Sequence, residues 1–237
     1  MAGFDIHRLS ERRDPIFQLL SGFRNFNIEL IIDVGANVGQ FALDLRSVGY
    51  TGKIVSFEPL TAAYTKLCHI AARDKNWVVH ERCAVGHFDG EIQINIAGNS
   101  FSSSILPMAE SHRSAAKGSS YVGSEATPIV KLDTVGMEYL SMAKGQSFLK
   151  IDTQGFEWQV LDGASVILKQ VQGIMCELSL VPLYEGQHLW MDVIDRLRTE
   201  GFTLWAIQPG FIDPRDGRAL QFDGIFFRAK SGNWYID

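Results

Sequence analysis

Short apolar runs alternate with amphipathic stretches along most of this chain. The runs that have the length and composition of buried strands lie at 30–34, 53–57, 147–151, 173–177, 202–207 and 224–227. Residues 38–48, between the first two runs, carry apolar side chains at helical spacing, and Gly49 supplies a stop. This alternation predicts an α/β fold in which helices cover both faces of a mostly parallel sheet.

The middle of the chain departs from this pattern. Residues 91–96 alternate polar and apolar side chains, which predicts a half-exposed strand, and a further strand is predicted at 128–132. Between them, residues 97–126 are rich in Ser, Gly and Ala, with weak periodicity. A long insert of this kind predicts a lid or substrate-binding segment. Without an internal repeat or linker, residues 1–237 are predicted to form a single domain, with 1–27 as a helical lead-in.

Composition and charge narrow the class of protein. Hydrophobic residues make up 46% of the chain and charged residues 21%, which is typical of a globular domain. The formal charge of −5 disfavours nucleic acid as a partner. No run approaches the roughly 18 apolar residues of a membrane span, and the first residues lack the apolar core of a signal peptide. We therefore expect a cytoplasmic protein.

The first strand leads into a glycine-containing loop, Asp33-Val34-Gly35-Ala36-Asn37-Val38-Gly39. Closely spaced glycines at such a junction let a cofactor approach the backbone. The GxxxG spacing differs from the GxGxxG of dinucleotide-binding loops, and the preceding acid disfavours an anion. A cofactor with a cationic sulfonium tolerates that acid well. A tight turn without a ligand is the alternative interpretation.

Glu58 ends the second predicted strand. An acid at this place can accept hydrogen bonds from both hydroxyls of a ribose. Because NAD and S-adenosylmethionine (SAM) both contain a ribose, Glu58 favours a nucleoside without choosing between them. A solvated carboxylate at the end of a strand is the alternative interpretation.

Seven segments, in order, resemble the FkbM family of SAM-dependent methyltransferases. They read IIDVGANVGQFA, VSFEP, AVG, SFSSSIL, VKLDT, FLKIDTQGFEWQVLDGA and FDGIFFR. The resemblance implies a class I methyltransferase, a Rossmann-like seven-stranded sheet whose last strand runs antiparallel. It also implies SAM as cofactor and O-methylation of a sugar, a glycan or another natural-product hydroxyl. The acceptor would be a small molecule or a glycan.

The resemblance further implies roles for particular residues. One group of residues would hold the methionine end, the ribose and the adenine of SAM, or would lie near cofactor and substrate. It comprises Asp33, Gly35, Asn37, Gly39, Glu58, Cys83, Ala84 and Ser103. Those that would face the transferred methyl group are Lys150, Asp152 and Glu157. Many relatives have Glu where Gln154 stands. Gln keeps the hydrogen-bonding capacity but removes the charge, which argues against residue 154 as a base or metal ligand.

A hydroxyl is a weak nucleophile, so its methylation needs a base or a metal to take its proton. Asp152 is the first candidate base because it follows a buried strand, and Lys150 would tune its pKa or contact the substrate. His112, in the insert, is a second candidate base. Alternatively, Asp152 and Glu177 would hold Mg²⁺, or Asp152 would only cap the following helix.

Other functions have weaker support in the sequence. An NAD-dependent oxidoreductase is disfavoured by the GxxxG spacing and by the absence of a Tyr-xxx-Lys pair. Methylation of nitrogen in nucleic acid or protein is disfavoured because the chain lacks an Asn/Asp-Pro-Pro-Tyr/Phe motif. A non-catalytic SAM-binding protein is disfavoured because the glycine loop, Glu58 and the acidic segment are all intact.

Overall fold

The structure, a computed structural model, describes residues 14–229. The strands of the described part are β1 Ile28–Val34, β2 Lys53–Phe57, β3 Trp77–Val79, β4 Ala84–Val85, β5 Gly90–Ala97, β6 Tyr121–Val130, β7 Gln146–Ile151, β8 Gly173–Ser179, β9 Phe202–Pro209 and β10 Gln221–Arg228. Its helices are α1 Pro15–Phe26, α2 Gln40–Ser47, α3 Thr61–Ala71, α4 Glu110–Ala115, α5 Leu132–Leu140, α6 Glu157–Asp162 and α7 Trp190–Thr199, with 3₁₀ turns at Ser100–Ser102 and Ile167–Lys169.

Within residues 14–229, seven strands form one sheet in the order β3-β2-β1-β7-β8-β10-β9. The pairs from β3 to β8 are parallel, whereas β10 runs antiparallel to both β8 and β9. The last strand therefore inserts between its two predecessors, and this confirms the predicted class I methyltransferase fold. The strand order reverses direction between β1 and β7, and such a switch point is where open α/β sheets bind ligands.

Side chains that alternate along β1 divide the core into two layers. Leu30, Ile32 and Val34 pack into one cluster with buried residues of α5, α6 and α7. Ile28 and Ile31 pack on the opposite face with residues of α1, α2 and α3. Because consecutive strand residues point to opposite faces, a strand buried on both sides reads as a continuous apolar run. This explains why the core strands were predictable from sequence.

The region 97–126 is more regular than its composition indicates. It contains α4, and its end forms the first part of β6, which pairs antiparallel with β5 and parallel with β4 in a separate three-stranded sheet. The expectation of an irregular insert is therefore wrong for the residues from 121 onward. The strand predicted at 128–132 overlaps the end of β6 but extends too far, because β6 ends at Val130 and α5 begins at Leu132.

The helical lead-in is confirmed for its described part, α1. Asp14 caps this helix by accepting a hydrogen bond from the Ile16 backbone N–H at 3.1 Å, and Pro15 occupies its first turn. Asn27 ends it in the left-handed conformation, with φ 55°. Residues 1–13 of the predicted lead-in lie outside the described residues. No helix in the described range is both long and apolar enough to cross a membrane.

Candidate active site

A cavity of about 550 Å³ opens at the carboxyl ends of β1, β2, β7 and β8. It therefore lies at the switch point of the sheet, between β1 and β7. The predicted site residues that line it are Gly35, Asn37, Glu58, Cys83, Ala84, Ser103, Lys150 and Asp152. Three other predicted site residues, Asp33, Gly39 and Glu157, lie outside its lining.

Gly35 brings three strand ends together. Its backbone N–H donates to the carbonyl oxygen of Phe57 at 3.1 Å, and its φ of 78° lies in the left-handed region. A Cβ at this position would overlap the carbonyl oxygen of Asp152. Only glycine fits here, because β1 and the segment after β7 approach too closely for any side chain. The backbone at this point is consequently open to the cavity.

The other glycine of the loop has a packing role. Gly39 is buried, with φ 93°, and an added Cβ would lie 2.6 Å from the Trp77 ring. Its absent side chain lets α2 begin directly against β3. Asn37, between the two glycines, lines the cavity and donates its backbone N–H to Glu58 Oε2 at 2.8 Å.

Asp33 forms a buried ion pair with Lys150, which lines the cavity while Asp33 lies outside the lining. The Lys150 Nζ lies 3.3 Å from Asp33 Oδ1 and 3.4 Å from Asp152 Oδ2, and it donates to the Gly35 carbonyl oxygen at 3.2 Å. Burial alone would lower the pKa of Lys150, but the carboxylates of Asp152 and Asp33 raise it above its ordinary value. Lys150 is thus a permanent cation that joins the glycine loop to Asp152.

Glu58 is 4% exposed and presents its carboxylate to the cavity. Its two oxygens accept the backbone N–H groups of Asn37 at 2.8 Å and Leu60 at 2.9 Å. Burial raises the pKa of Glu58 to about 7, although these two hydrogen bonds lower it. Each oxygen still has acceptor capacity, so the carboxylate can receive two vicinal hydroxyls.

Cys83 and Ala84 form an apolar wall of the cavity, at and just before β4. Both are buried, and burial raises the pKa of the Cys83 thiol to about 12. The thiol therefore stays neutral and acts as a small apolar group. Ser103 lies on another side, where its Oγ accepts the Ala97 backbone N–H at 3.0 Å. Such surroundings suit the flat face of a nucleobase.

Three carboxyl groups line the end of the cavity near β7, β8 and β10. They belong to Asp152, Glu177 and Asp223, of which the last two stand opposite each other on paired strands. Burial raises the pKa of Asp223 to about 7, and burial followed by the nearby Asp152 charge raises that of Glu177 well above its ordinary value. No sequence pattern singled out Asp223, although an acid within an otherwise apolar closing strand is a signal of a functional site.

Glu157 has a structural environment distinct from that of Asp152. One of its oxygens accepts the backbone N–H groups of Thr153 at 2.9 Å and Gly155 at 3.1 Å, and the Thr153 hydroxyl at 3.2 Å. Burial raises the pKa of Glu157 to about 7. It therefore braces the loop before α6, while Lys150 and Asp152 reach the cavity. A cap formed by Asp152 was the alternative in the sequence, but Glu157 satisfies these loop donors.

His112, the alternative base, lines the cavity with a buried ring. Its Nε2 lies 3.1 Å from Ser102 Oγ, and its ring packs against Tyr184 and Phe211 at centroid distances of 5.1 and 5.7 Å. Burial lowers the pKa of His112 to about 4. The ring is consequently neutral near pH 7.

The acidic end offers no complete metal site in the described chain. Among residues 14–229 there is no group of three or more His, Cys, Asp or Glu side chains arranged to hold a metal ion. Between Asp152 and Glu177, the suggested Mg²⁺ ligands, lies the Gln154 amide nitrogen, 2.9 Å from an oxygen of each. Two N–H donors thus occupy the position at which a cation would join the two carboxylates.

The cavity fits SAM part by part. The Gly35 backbone in the cavity lining admits close approach, Glu58 can hold ribose hydroxyls, and the wall of Cys83 and Ala84 suits adenine. A sulfonium and an ammonium group are stabilised by the surrounding carboxylates. A volume of about 550 Å³ lies within the range of small-molecule sites.

Comparisons with known proteins identify the family. No curated protein matches the chain. Similar folds include magnesium protoporphyrin IX methyltransferase from Synechocystis PCC 6803 with bound SAM (9% identity, 92% of this chain and 80% of that one, TM-score 0.48). They also include the putative RNA methyltransferase PH1948 from Pyrococcus horikoshii (8%, 91% and 83%, 0.46) and the methyltransferase domain of bacterial CtHen1-C (9%, 93% and 100%, 0.47). The methyltransferase FkbM domain matches residues 33–204, so the chain belongs to this family and is a SAM-dependent methyltransferase.

Proposed function

We propose that the protein transfers the methyl group of SAM to a hydroxyl of a sugar, a glycan or another natural product. The observation that carries the proposal is the position of Asp152. Its side chain is 36% exposed in the cavity wall, directly beside the glycine loop, while its cationic partner Lys150 is 8% exposed. A carboxylate held in this way can accept the proton of a hydroxyl that approaches the cofactor.

The residues divide the work between binding and proton transfer. SAM supplies an electrophilic methyl group when it is bound. Glu58 and the Gly35 backbone would fix the nucleoside and methionine ends, so that the acceptor oxygen meets the methyl group in line. Alignment of two reactants can remove on the order of 7–11 kcal/mol of barrier at best. Asp152 takes the proton at a carboxylate oxygen, and Lys150, 3.4 Å away, stabilises the charged carboxylate.

The part of the cavity that would bind the acceptor suits a polyhydroxylated molecule of modest size. Its walls combine the aromatic side chains of Phe101 and Phe211 with the polar groups of Gln221 and Asp223. Aromatic faces stack on sugar rings, while amides and carboxylates bind their hydroxyls. The formal charge of −5 argues against a nucleic acid. These features favour a small-molecule or glycan acceptor.

The experiment is methyl transfer from SAM labelled with ¹³C in the methyl group, into metabolite and glycan extracts of cells that encode the protein. NMR and mass spectrometry of the products distinguish a methoxy carbon from an N-methyl or S-methyl carbon. We expect an enzyme-dependent methoxy signal that is lost with the Asp152→Asn variant. A labelled N-methyl product, or labelled RNA, would refute the proposal.

A further inference from the structure

The side chain of Gln154 lies between two carboxylates of the cavity. Its Nε2 donates to Asp152 Oδ1 at 2.9 Å and to Glu177 Oε2 at 2.9 Å. A primary amide has two N–H donors on one nitrogen, so a single group satisfies both acceptors. The two carboxylates come from different strand ends, after β7 and within β8. Gln154 therefore connects the ends of two neighbouring strands.

The orientation of this amide is fixed by its third partner. The Gln154 Oε1 accepts the hydroxyl of Tyr184 at 2.9 Å, and Tyr184 is completely buried. The same hydroxyl lies 3.3 Å from the Ser102 carbonyl oxygen. A flipped amide would turn its oxygen toward both carboxylates, where it has no donor. The hydrogen-bond network thus selects the orientation in which the NH₂ group faces the carboxylates.

The backbone of Gln154 is also held in a defined conformation. Gln154 has φ 54°, in the left-handed region, and its carbonyl oxygen accepts the Ser104 hydroxyl at 2.6 Å. Gly155 follows with φ 96°, and a Cβ there would lie 2.7 Å from the Tyr184 ring. A non-glycine residue in this conformation is unfavourable and persists only where its surroundings over-determine it. Here those surroundings are Ser104 and Tyr184.

The charges around Asp152 explain why such a group is needed. Glu177 and Asp223 face the same cavity, and Lys150 balances Asp152 from one side only, through Oδ2. Two carboxylates that share a gap repel each other unless a cation or hydrogen-bond donors lie between them. The Asp152 Oδ1, on the side away from Lys150, receives its donor from Gln154.

We propose that Gln154 is a positioning residue whose amide takes the place of a bridging cation between Asp152 and Glu177. With Lys150 on Oδ2 and Gln154 on Oδ1, the plane of the Asp152 carboxylate is fixed, and a lone pair on each oxygen remains for an acceptor hydroxyl. The inference rests on the proposed role of Asp152 as proton acceptor. It assigns the geometry of that acceptor to a neutral side chain.

The test is a pH titration of the ligand-free protein in which ¹³C NMR monitors the individual carboxyl groups. In a Gln154→Leu variant we expect the pKa values of Asp152 and Glu177 to rise by about one unit, because both ionised forms lose a donor. Gln159→Leu is the matched control, since Gln159 lies on α6 outside the cavity lining and its Oε1 has no hydrogen-bond partner in the described chain. Unchanged titration of both carboxyls in a folded Gln154→Leu protein would overturn the proposal.

A second measurement needs no variant. In the wild-type protein, the side-chain amide protons of Gln154 should shift as Asp152 and Glu177 titrate, and should exchange slowly with water. If the chemical shifts of the Gln154 amide protons stay constant through both titrations, the proposal is overturned even if Gln154→Leu does not fold. In the methylation assay, the acidic limb of the pH–rate profile of Gln154→Leu should move to higher pH. The NMR titrations need neither SAM nor acceptor, so they can succeed or fail independently of the proposed O-methylation.

Discussion

At the scale of single residues, Gly35 is the position that we propose admits the cofactor to the floor of the cavity. Its positive φ and the nearby Asp152 carbonyl exclude every side chain. Gly49 has a similar φ of 91° but has no atom within 4 Å of its Cβ position. Substitutions at these two positions therefore separate the effect of backbone strain from the effect of steric overlap with the neighbouring backbone.

We predict that Gly35→Ala abolishes SAM binding and lowers the free energy of unfolding by about 2–4 kcal/mol, because strain and steric overlap combine. Gly49→Ala should cost about 1–2 kcal/mol, from strain alone, and should bind SAM normally. Calorimetric titration and thermal unfolding of both variants check this. SAM binding by Gly35→Ala at the wild-type affinity would place the cofactor elsewhere.

We predict that Glu58 makes SAM affinity depend on pH. Its folded pKa of about 7 means that the carboxyl is largely protonated at pH 6 and ionised at pH 8. The ionised form accepts hydroxyl hydrogen bonds better, so we expect SAM affinity to rise roughly tenfold between these pH values. In a Glu58→Gln variant the affinity should be lower and nearly independent of pH. An equally steep dependence in that variant would assign the titration to another group, such as Asp223.

At this scale the sequence indicated which residue types would be present but not which way they would point. The sequence predicted both Asp33 and Asp152 as acids at the ends of strands. In the structure, Asp33 is buried beside Lys150, whereas Asp152 faces the cavity. That difference depends on the register between β1 and β7, which pairs Asp33 with Lys150. Register is a property of the assembled sheet, so a single strand sequence does not contain it.

At the scale of elements, the segment between β5 and β6, residues 98–120, forms one wall of the cavity. It brings Phe101, Ser103 and His112 to the lining, and Ser104 connects it to Gln154. The segment also contributes Met108 and Ala115 to a small apolar cluster. Because this cluster is separate from the two main core clusters, we expect the segment to open at a lower free energy than the core does.

We predict that SAM together with an acceptor slows hydrogen exchange in residues 99–116. The paired strands β5 and β6 flank this segment and provide the internal control, since their amides are already hydrogen-bonded to each other. Their exchange should change little. If residues 99–116 exchange at the same rate with and without ligands, the segment is a fixed wall and not a lid.

The central strands of the main sheet could be predicted because most of their residues are buried on both faces. The strands predicted at 53–57 and 147–151 agree with β2 and β7 to within one residue. In contrast, β6 reads YVGSEATPIV, a half-exposed sequence with Gly and Pro, both of which are depleted in strands. Its partner β5 supplies the stabilisation that its own sequence lacks, so only the folded chain reveals it.

At the scale of the whole molecule, the cavity concentrates acids in a poorly solvated site. Glu58, Glu157 and Asp223 each have a pKa raised by burial to about 7. A carboxyl group with a raised folded pKa binds more protons in the folded state than in the unfolded state. Stability from these groups is therefore full at low pH and is lost as the pH rises through about 7.

We accordingly predict that the ligand-free protein loses thermal stability between pH 6.5 and pH 8.5, by at least about 5 °C in Tm. Below pH 6.5 the buried His112 has the opposite effect on stability. Its lowered pKa of about 4 makes its protonation unfavourable for folding, so its contribution falls as the pH falls. Scanning calorimetry across this range measures the effect, and Glu58→Gln should reduce it. A Tm that is constant or rises with pH would contradict the assignment of buried, proton-binding acids.

The family and the fold connect these scales. A sheet of the class I methyltransferase type places the ends of β1, β7, β8 and β10 around one cavity, and the chain fills those ends with acids and one buried lysine. We propose that this cavity moves a methyl group from SAM to a hydroxyl whose proton passes to Asp152.

The most direct test compares SAM affinity and methylation rate in the wild-type protein and in Asp152→Asn, with the acceptor identified by labelled methyl transfer. Asn keeps the size of the side chain and removes only the charge. We predict SAM affinity within a few-fold of wild type and a methylation rate lower by roughly 10²–10⁴, the usual contribution of a positioned base. A stable Asp152→Asn protein that methylates at the wild-type rate would contradict the role of Asp152 as the proton acceptor.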